Sequence, residues 1–545
     1  MEDILFDTNS RTSVKMVKKI AVIGSGASGL TAIKCCLDEK LEPVCFERTD
    51  NIGGLWRYTK EVRDGQSCVM RSTVINTSKE MMCYSDYPIP KEYPIFMHNT
   101  QVWEYFKQYA NEFNLCKYIR FETEVVSVKR SADFDETGRW DIQVKDLNTG
   151  ETQNLVFDGV LVCTGHHAVK NEPKFSGLDE FEGKVLHSHD YRNFHGYEDK
   201  RVMVVGIGNS GGDAAVELSR IASQVFLSTR RGCWVINRIS DNGLPIDMSK
   251  TNRLTALIVK MLPLSIINGI TAGILNKRFD HATYSLKPEH PPFAQHPTVN
   301  DDLPNRIICG SVKVKTDIKR FTKHGAEFID GTKEDDIDIV MLATGYKFGF
   351  PFLERSVVDV KNNRVQLFKY MFPPDLKKQT IAIIGCIQPL GAIMPISELQ
   401  CRLATRVFKG DVQLPSKEDM WKDVRGKEIR MMQRYFQSPR HTIQVDYCAF
   451  MDELADLNGC RIDFKKLFKS DPKLALTCFF GPTTPYQYRL FGPGKWPEAK
   501  EAIYTAWERT FYPLKTRPVK VEQKSSLIFY VILAVIVLIL AYIIL

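Results

Sequence analysis

One spacing constrains this chain more than any other: Gly-x-Gly-x-x-Gly is written twice, at Gly24, Gly26 and Gly29 and again at Gly206, Gly208 and Gly211. Each copy follows a short apolar run, residues 18–23 and 200–205, and leads into a stretch that reads as a helix, residues 30–39 and 212–221. Strand, glycine turn and helix form the context in which this spacing binds a dinucleotide. The first glycine permits the tight turn, the second lets backbone approach a pyrophosphate, and the third allows close packing of helix on strand. The helix start adds partial positive charge. The fold class expected is therefore α/β, with two Rossmann-like dinucleotide-binding domains. A chain of 545 residues has room for two or three folded units.

The two copies differ at the tip of the next strand. Residues 42–46 end at Glu47, a carboxylate placed to accept hydrogen bonds from a ribose 2′-hydroxyl and to repel a 2′-phosphate. Residues 224–228 end instead at Thr229, Arg230 and Arg231, and guanidinium groups there favour a phosphorylated ribose. The first loop, with Gly24, Ser25, Gly26, Ala27, Ser28, Gly29 and Glu47, thus reads as an FAD site. The second, with Gly206, Gly208, Gly211, Arg230 and Arg231, reads as an NADPH site. The plain alternative for the two arginines is a solvated pair closing a strand.

Two further β-rich runs, residues 160–165 (VLVCTG) and 339–345 (IVMLATG), both end in Thr-Gly and suit strands at which the chain crosses between the nucleotide units. The second unit then reads as an insertion in the first. The expected division is an extension over 1–15, an FAD domain over 16–169 and 336–514, and an NADPH domain over 170–335 with an apolar helical insertion at about 235–300. A strand at 380–385 leads to Gly385, whose backbone could approach the flavin from its far side. Within the insertion, residues 254–275 are strongly apolar and broken by Pro263, which predicts two short helices. They either pack on the nucleotide domains or shield the flavin and touch a membrane surface.

Residues 527–545 are apolar, free of charge and interrupted only by Tyr530 and Tyr542. As a helix they would be roughly 28 Å long, close to a bilayer's hydrocarbon thickness. They read as a membrane anchor, with a buried terminal helix as the alternative. The linker 515–526, with Lys515, Arg517, Lys520 and Lys524, then keeps the bulk of the chain on the cytosolic face. The first nineteen residues lack a signal-peptide pattern, so the fourteen cysteines read as reduced thiols. No Cys-x-x-Cys and no zinc-type spacing occurs, and no metal is expected. The net charge of +8 is scattered rather than clustered, which argues against a nucleic-acid partner.

Beyond the first loop come Gly53-Gly54-Leu55-Trp56, then residues 75–82 (INTSKEMM), then Phe181-x-Gly183-x-x-x-His187-x-x-x-Tyr191. Together these resemble the flavin-containing monooxygenases of the N-oxide-forming, dimethylaniline type, from about Met16 to the apolar tail. Arg192 stands where that linker signature usually has Lys or Pro. The stretches 74–90 and 227–232 look most like a branch of the mammalian enzymes that leans towards ketones.

The resemblance implies that NADPH reduces FAD, that NADP⁺ stays bound, and that O₂ adds at carbon 4a of the reduced ring as a hydroperoxide. A nitrogen or sulfur of a small lipophilic amine or thioether takes the distal oxygen, or a ketone undergoes Baeyer–Villiger oxygenation with substantial NADPH oxidase activity. It also implies residence at the endoplasmic reticulum membrane, and an oligomer is compatible with it.

The resemblance assigns Asn76 the catalytic role, touching both flavin and nicotinamide. It adds Gly54, Leu55, Trp56 and Thr77 to the FAD site, and Ile75, Ser210, Gly211, Gly212 and Asp213 to the NADP site. Asn76 has two duller readings, as the first residue of an Asn-Thr-Ser glycosylation site and as a turn residue. His187 reads as a hydrogen-bonded linker residue, with a proton donor as the alternative, and His166 and His167 are treated alike. A disulfide-reducing flavoprotein would carry a cysteine pair soon after the flavin glycines, where this chain has Leu55-Trp56. A flavoprotein that leaks peroxide without oxygenating stays open.

Overall fold

A computed structural model describes residues 18–519, apart from 437, 439 and 440. In chain order its principal strands are β1 (Lys19–Ile23), β2 (Glu42–Phe46), β3 (Ile119–Arg120), β4 (Gly159–Val162), β5 (Val169–Lys170), β6 (Lys184–His187) and β7 (Arg201–Val205). They continue with β8 (Gln224–Ser228), β9 (Val312–Lys315), β10 (Ile339–Leu342), β11 (Tyr346–Lys347) and β12 (Ile381–Ile383). The helices that bear on the site are α1 (Ala27–Asp38), α2 (Lys79–Met82), α3 (Asn209–Leu218), α4 (Ile246–Lys250), α5 (Arg253–Met261), α6 (Leu264–Arg278) and α7 (Ile393–Lys409).

Two five-stranded sheets result, in the orders β12-β4-β1-β2-β3 and β9-β8-β7-β10-β6, and every pairing within them is parallel. In each, the strand that precedes the glycine turn is flanked by the strand that follows its helix on one side and by a later strand on the other. This is the reversal of strand order at whose carboxyl end nucleotides bind in open α/β sheets. The sheets are covered on both faces, as parallel sheets must be. Along β7, Val202 and Val204 belong to one apolar cluster while Met203 and Val205 belong to another, the alternation that a strand of period two imposes.

Both nucleotide helices start three residues earlier than the sequence reading placed them, at Ala27 rather than 30 and at Asn209 rather than 212. The sequence reading began each helix only after the third glycine of the motif. Packing decides otherwise: the third glycine sits inside the first turn because a Cβ there would lie 1.8 Å from Gly24 O in one loop and 2.0 Å from Gly206 O in the other.

Helix α1 packs along α7, and a buried ion cluster lies beside that contact. Lys34 of α1 pairs with Asp86 at 2.5 Å, while Arg489 reaches Asp86 at 2.8 Å and Glu398 of α7 at 2.6 Å. The chain crosses between the two sheets on β5 and β11, which pair antiparallel. His187 sits beside this crossing, its Nε2 facing Gly345 O at 3.1 Å and its Nδ1 accepting the His189 N–H at 3.0 Å.

The break at Pro263 separates α5 from α6 as the sequence suggests. Their outer surface is apolar and uncovered among the described residues: Ile258, Met261, Leu264, Ile266, Ile270 and Ile274 are all exposed, Met261 by 73%. Among the described residues no helix is long and apolar enough to cross a membrane. The anchor expected at 527–545 and the extension 1–15 lie outside the described residues. All fourteen cysteines are free thiols, and only Cys116 and Cys309 are exposed.

Candidate active site

The first glycine loop makes a slot without side chains. Gly24 has φ +95°, and a Cβ on it would lie 2.9 Å from Cys163 O at the end of β4. Gly26, the N-cap of α1, faces Gly54: a Cβ built on Gly54 would lie 3.1 Å from Gly26 Cα, and one on Gly26 would lie 3.6 Å from Gly54 Cα. Two stretches of bare backbone therefore meet at a helix start whose first amides have no partner within the helix. Such a cradle fits a pyrophosphate, and a side chain at either glycine would fill it.

Glu47, at the tip of β2, is nearly buried and fully ordered by its neighbours. Its Oε2 accepts from Ser25 N–H (2.7 Å) and Ser25 Oγ (2.9 Å), and its Oε1 from Thr49 N–H (2.9 Å) and Thr49 Oγ1 (2.9 Å). Two of the four donors are rotatable hydroxyls, which a ribose diol can replace without disturbing the backbone bonds.

Leu55 and Trp56 lie in the short turn Gly54–Trp56, with Trp56 packed against the main core. Gly385, at φ +71°, brings backbone against the first turn of α1, where an added Cβ would lie 2.4 Å from Ser28 Oγ.

The second loop repeats the geometry on β7. Gly206 has φ +108°, and a Cβ on it would lie 2.5 Å from Ala343 O beyond β10. A Cβ on Gly208, the N-cap of α3, would meet nothing within 4 Å, and Ser210 in the first turn is exposed. Gly212 lies against Thr298, and Asp213 accepts from Asn300 Nδ2 at 2.9 Å. Burial raises the Asp213 carboxyl to about 6, against the opposing pull of Arg238. At the tip of β8, Arg230 is exposed, whereas Arg231 stacks its guanidinium 3.7 Å over the ring of Phe436.

Asn76 stands where these parts converge. Its amide oxygen accepts from Arg238 Nη2 at 2.7 Å, and the same nitrogen reaches Val74 O at 3.3 Å. Arg238 is in turn held by Asp301, through its backbone N–H at 3.0 Å and its Nη1 at 2.9 Å. Two residues before Asp301, the Val299 N–H donates to Asn209 Oδ1 at 2.9 Å, and Asn209 is the first residue of α3. From the other end of the same segment, the Tyr84 hydroxyl donates to Ala27 O at the start of α1, 2.7 Å away. The segment that holds Ile75, Asn76 and Thr77 is thus tied to both glycine loops. Neither Arg238 nor Asp301 belongs to any spacing pattern in the sequence, and only the fold brings them 162 residues or more back to Asn76.

Two glycine cradles, one beside a carboxylate and the other beside guanidinium groups, bridged by a segment with a half-buried, oriented amide, are the arrangement of a flavin- and nicotinamide-dependent oxidoreductase of the oxygenase type. The family model described as flavin-binding monooxygenase-like matches residues 17–545, and the chain belongs to that family. It is 56% identical over 511 residues to flavin-containing monooxygenase 5 of Rattus norvegicus, covering 93% of this chain and 95% of that one. To dimethylaniline monooxygenase [N-oxide-forming] 2 of Macaca mulatta it is 47% identical over 507 residues, with 93% and 94% covered. The fold is shared with the solved structure of S-allyl-L-cysteine S-oxygenase from Allium sativum, at TM-score 0.63 and 23% identity, over 91% of this chain and 99% of that one. The chain is a flavin monooxygenase.

Proposed function

We propose that the chain uses NADPH and O₂ to oxygenate the nitrogen or sulfur of small lipophilic compounds, with FAD in the first cradle and NADP in the second. The observation that carries this is the orientation of Asn76. Arg238 can only donate, so the atom facing it is the amide oxygen, and the Asn76 NH₂ is left to donate to the reacting oxygen and to the nicotinamide. When bound, the flavin reduced by NADPH supplies the two electrons that split O₂, one oxygen going to the substrate and the other to water. The residues of this chain hold the two nucleotides edge to edge, order the amide between them and keep water out.

The remaining assignments follow the same reading. Glu47 takes the FAD ribose and the Gly26–Gly54 slot its pyrophosphate, with Leu55, Trp56 and Thr77 alongside. Arg230 takes the NADP 2′-phosphate, and Gly206, Gly208, Ser210, Gly211, Gly212 and Asp213 with Ile75 line the rest. The inserted unit, read from the sequence as 170–335 between 16–169 and 336–514, runs on at least to Leu342, because β10 pairs with β7 and β6 in the second sheet. The exposed apolar face of α5 and α6 rests on a membrane surface, the endoplasmic reticulum in a cell, beside the anchor at 527–545. The support for this is the face itself, the cations Lys260, Lys277 and Arg278 along it, and the apolar tail of the sequence.

Turnover of the holoenzyme with a tertiary amine, a thioether and a linear ketone tests the reading. N-oxide and sulfoxide are the expected products, and ester alone would move the enzyme to ketone oxygenation. Asn76→Ala is expected to lower product formation by about 100-fold or more, the loss typical of an oxyanion-type donor, while NADPH still bleaches the flavin. Wild-type product yield in that variant would remove Asn76 from the chemistry.

A further inference from the structure

The turn that carries Asn76 is gripped from two sides. On its inner side the holds are ordinary backbone bonds, with Ile75 N–H donating to Met97 O and Lys79 N–H to Ile95 O, both at 2.9 Å. The outer holds come from one short loop of the insertion. At the start of that loop, Arg238 donates to Val74 O and to Asn76 Oδ1. At its end, on α4, Asp247 Oδ2 accepts from Ser78 N–H at 2.6 Å and from Ser78 Oγ at 2.9 Å. The holds therefore land two residues before Asn76, on its own side chain, and two residues after it.

The loop between them is closed on itself. Ile246 N–H donates to Arg238 O at 2.8 Å and Ser240 N–H to Leu244 O at 2.7 Å, with Asn242 (φ +62°) and Gly243 (φ +75°) turning the tip. Arg238 and Asp247 are thus fastened to each other through backbone and cannot shift independently.

Asp247 is placed for this task. Its Oδ1 accepts from Met248 N–H at 2.8 Å, so both carboxylate oxygens are engaged. Ser78 is the N-cap of α2, yet its hydroxyl makes no bond to the amides of that helix and turns to Asp247 instead. Bonds from N–H and O–H to a carboxylate are about twice as strong as neutral ones, and in a partly buried site they hold a turn that a neutral residue would leave looser. Burial raises the Asp247 carboxyl above the ordinary range, and the Ser78 bonds oppose that rise.

We propose that Asp247 is a positioning residue for oxygenation: acting through Ser78, it fixes the Asn76 turn so that reducing equivalents leave in product rather than in peroxide. This rests on the reading of Asn76 given above. Coupled turnover converts one NADPH, one O₂, one proton and one substrate into NADP⁺, water and the oxygenated substrate. Uncoupled turnover converts NADPH, O₂ and a proton into NADP⁺ and hydrogen peroxide and leaves the substrate unchanged. Loosening the turn shifts the partition between these two, whereas NADPH affinity, most of which comes from the second loop and Arg230, changes little.

The experiment uses the full-length holoenzyme with methyl phenyl sulfide and follows NADPH consumed, sulfoxide formed and peroxide released. Asp247→Ala is expected to raise the peroxide fraction about threefold or more with the KM for NADPH within about twofold of wild type. Asp247→Asn keeps an acceptor oxygen for Ser78 and is expected to recover most of the coupling. The double variant Asp247→Ala/Asn76→Ala should be no worse coupled than Asn76→Ala alone.

Wild-type coupling in Asp247→Ala, a parallel rise in the NADPH KM, or an additive double variant would each overturn the proposal. If Asp247→Ala does not fold, Ser78→Ala decides: a raised peroxide fraction supports the proposal and an unchanged one overturns it. Should Asn76→Ala itself give full sulfoxide yield, the reading of Asn76 falls and the proposal with it. Should Asn76→Ala abolish the yield while Asp247→Ala is silent, only the positioning role is lost.

Discussion

The two arginines that close β8 are adjacent in sequence and unlike in use. Arg231 is spent on Phe436, where its guanidinium lies 3.7 Å over the ring, while Arg230 projects into solvent beside the second cradle. A guanidinium–phosphate contact contributes about 1.5–3 kcal/mol, which is about 10- to 100-fold in affinity. Arg230→Ala is therefore expected to raise the KM for NADPH by that factor and to leave NADH nearly unchanged, with Arg231→Ala the milder of the two. Oxygen uptake with each nucleotide measures this, and equal losses for both would remove the phosphate contact. At this scale the sequence was informative wherever a residue type is tied to a motif offset, as with Glu47 and Arg230. It was silent on Arg238, Asp301 and Asp247, which lie in segments with no periodicity or spacing and reach Asn76 only because the insertion folds back over it.

Among the described residues, the helix pair α5 and α6 presents an apolar surface that nothing covers. Ile266, Ile270 and Ile274 recur every four residues and so share one face of α6, and all three are about half exposed. Burying apolar surface contributes about 25 cal/mol per Å², enough for a few such side chains to hold a protein on a bilayer. A chain ended after residue 514 is expected to float with phospholipid vesicles, and replacing those three isoleucines by Asn should leave it in solution. Equal flotation of both proteins would sink the membrane-facing role of α6.

The break at Pro263 that makes this pair was readable from the sequence, because proline ends one helix and can begin the next. The starts of α1 and α3 were misread by the same three residues in both loops. The glycine spacing looks like a turn that ends before the helix begins, and here the closeness of Gly29 to Gly24 and of Gly211 to Gly206 places its last glycine within the helix.

At the scale of the whole molecule, acid should loosen the protein at identifiable points. His187, beside the crossing between the sheets, and His281, in the insertion, are both buried and held down to about 4 chiefly by that burial. Each uses one ring nitrogen as an acceptor, His187 Nδ1 from His189 N–H and His281 Nε2 from Val235 N–H, and a proton there would confront a donor. The unfolded chain takes up those protons near pH 6.5 and the folded one only near 4. Between these values the unfolded state binds more protons, so stability is complete above about 6.5 and is lost as pH falls towards 4. The slope is up to about 1.4 kcal/mol per pH unit for each imidazole. Thermal unfolding at pH 7.5, 6 and 5 should show a falling Tm, and a flat profile would count against it.

The distribution of thiols has a consequence of another kind. An oxygenase that spills hydrogen peroxide works beside an oxidant of its own making, and the species that oxidant attacks is the thiolate. Burial pushes the thiols of Cys35, Cys233, Cys386 and Cys478 up to about 12, so at neutral pH they stay protonated and inert. With only Cys116 and Cys309 exposed and Cys448 half-buried, the fold keeps most of its thiols out of reach of any such oxidant.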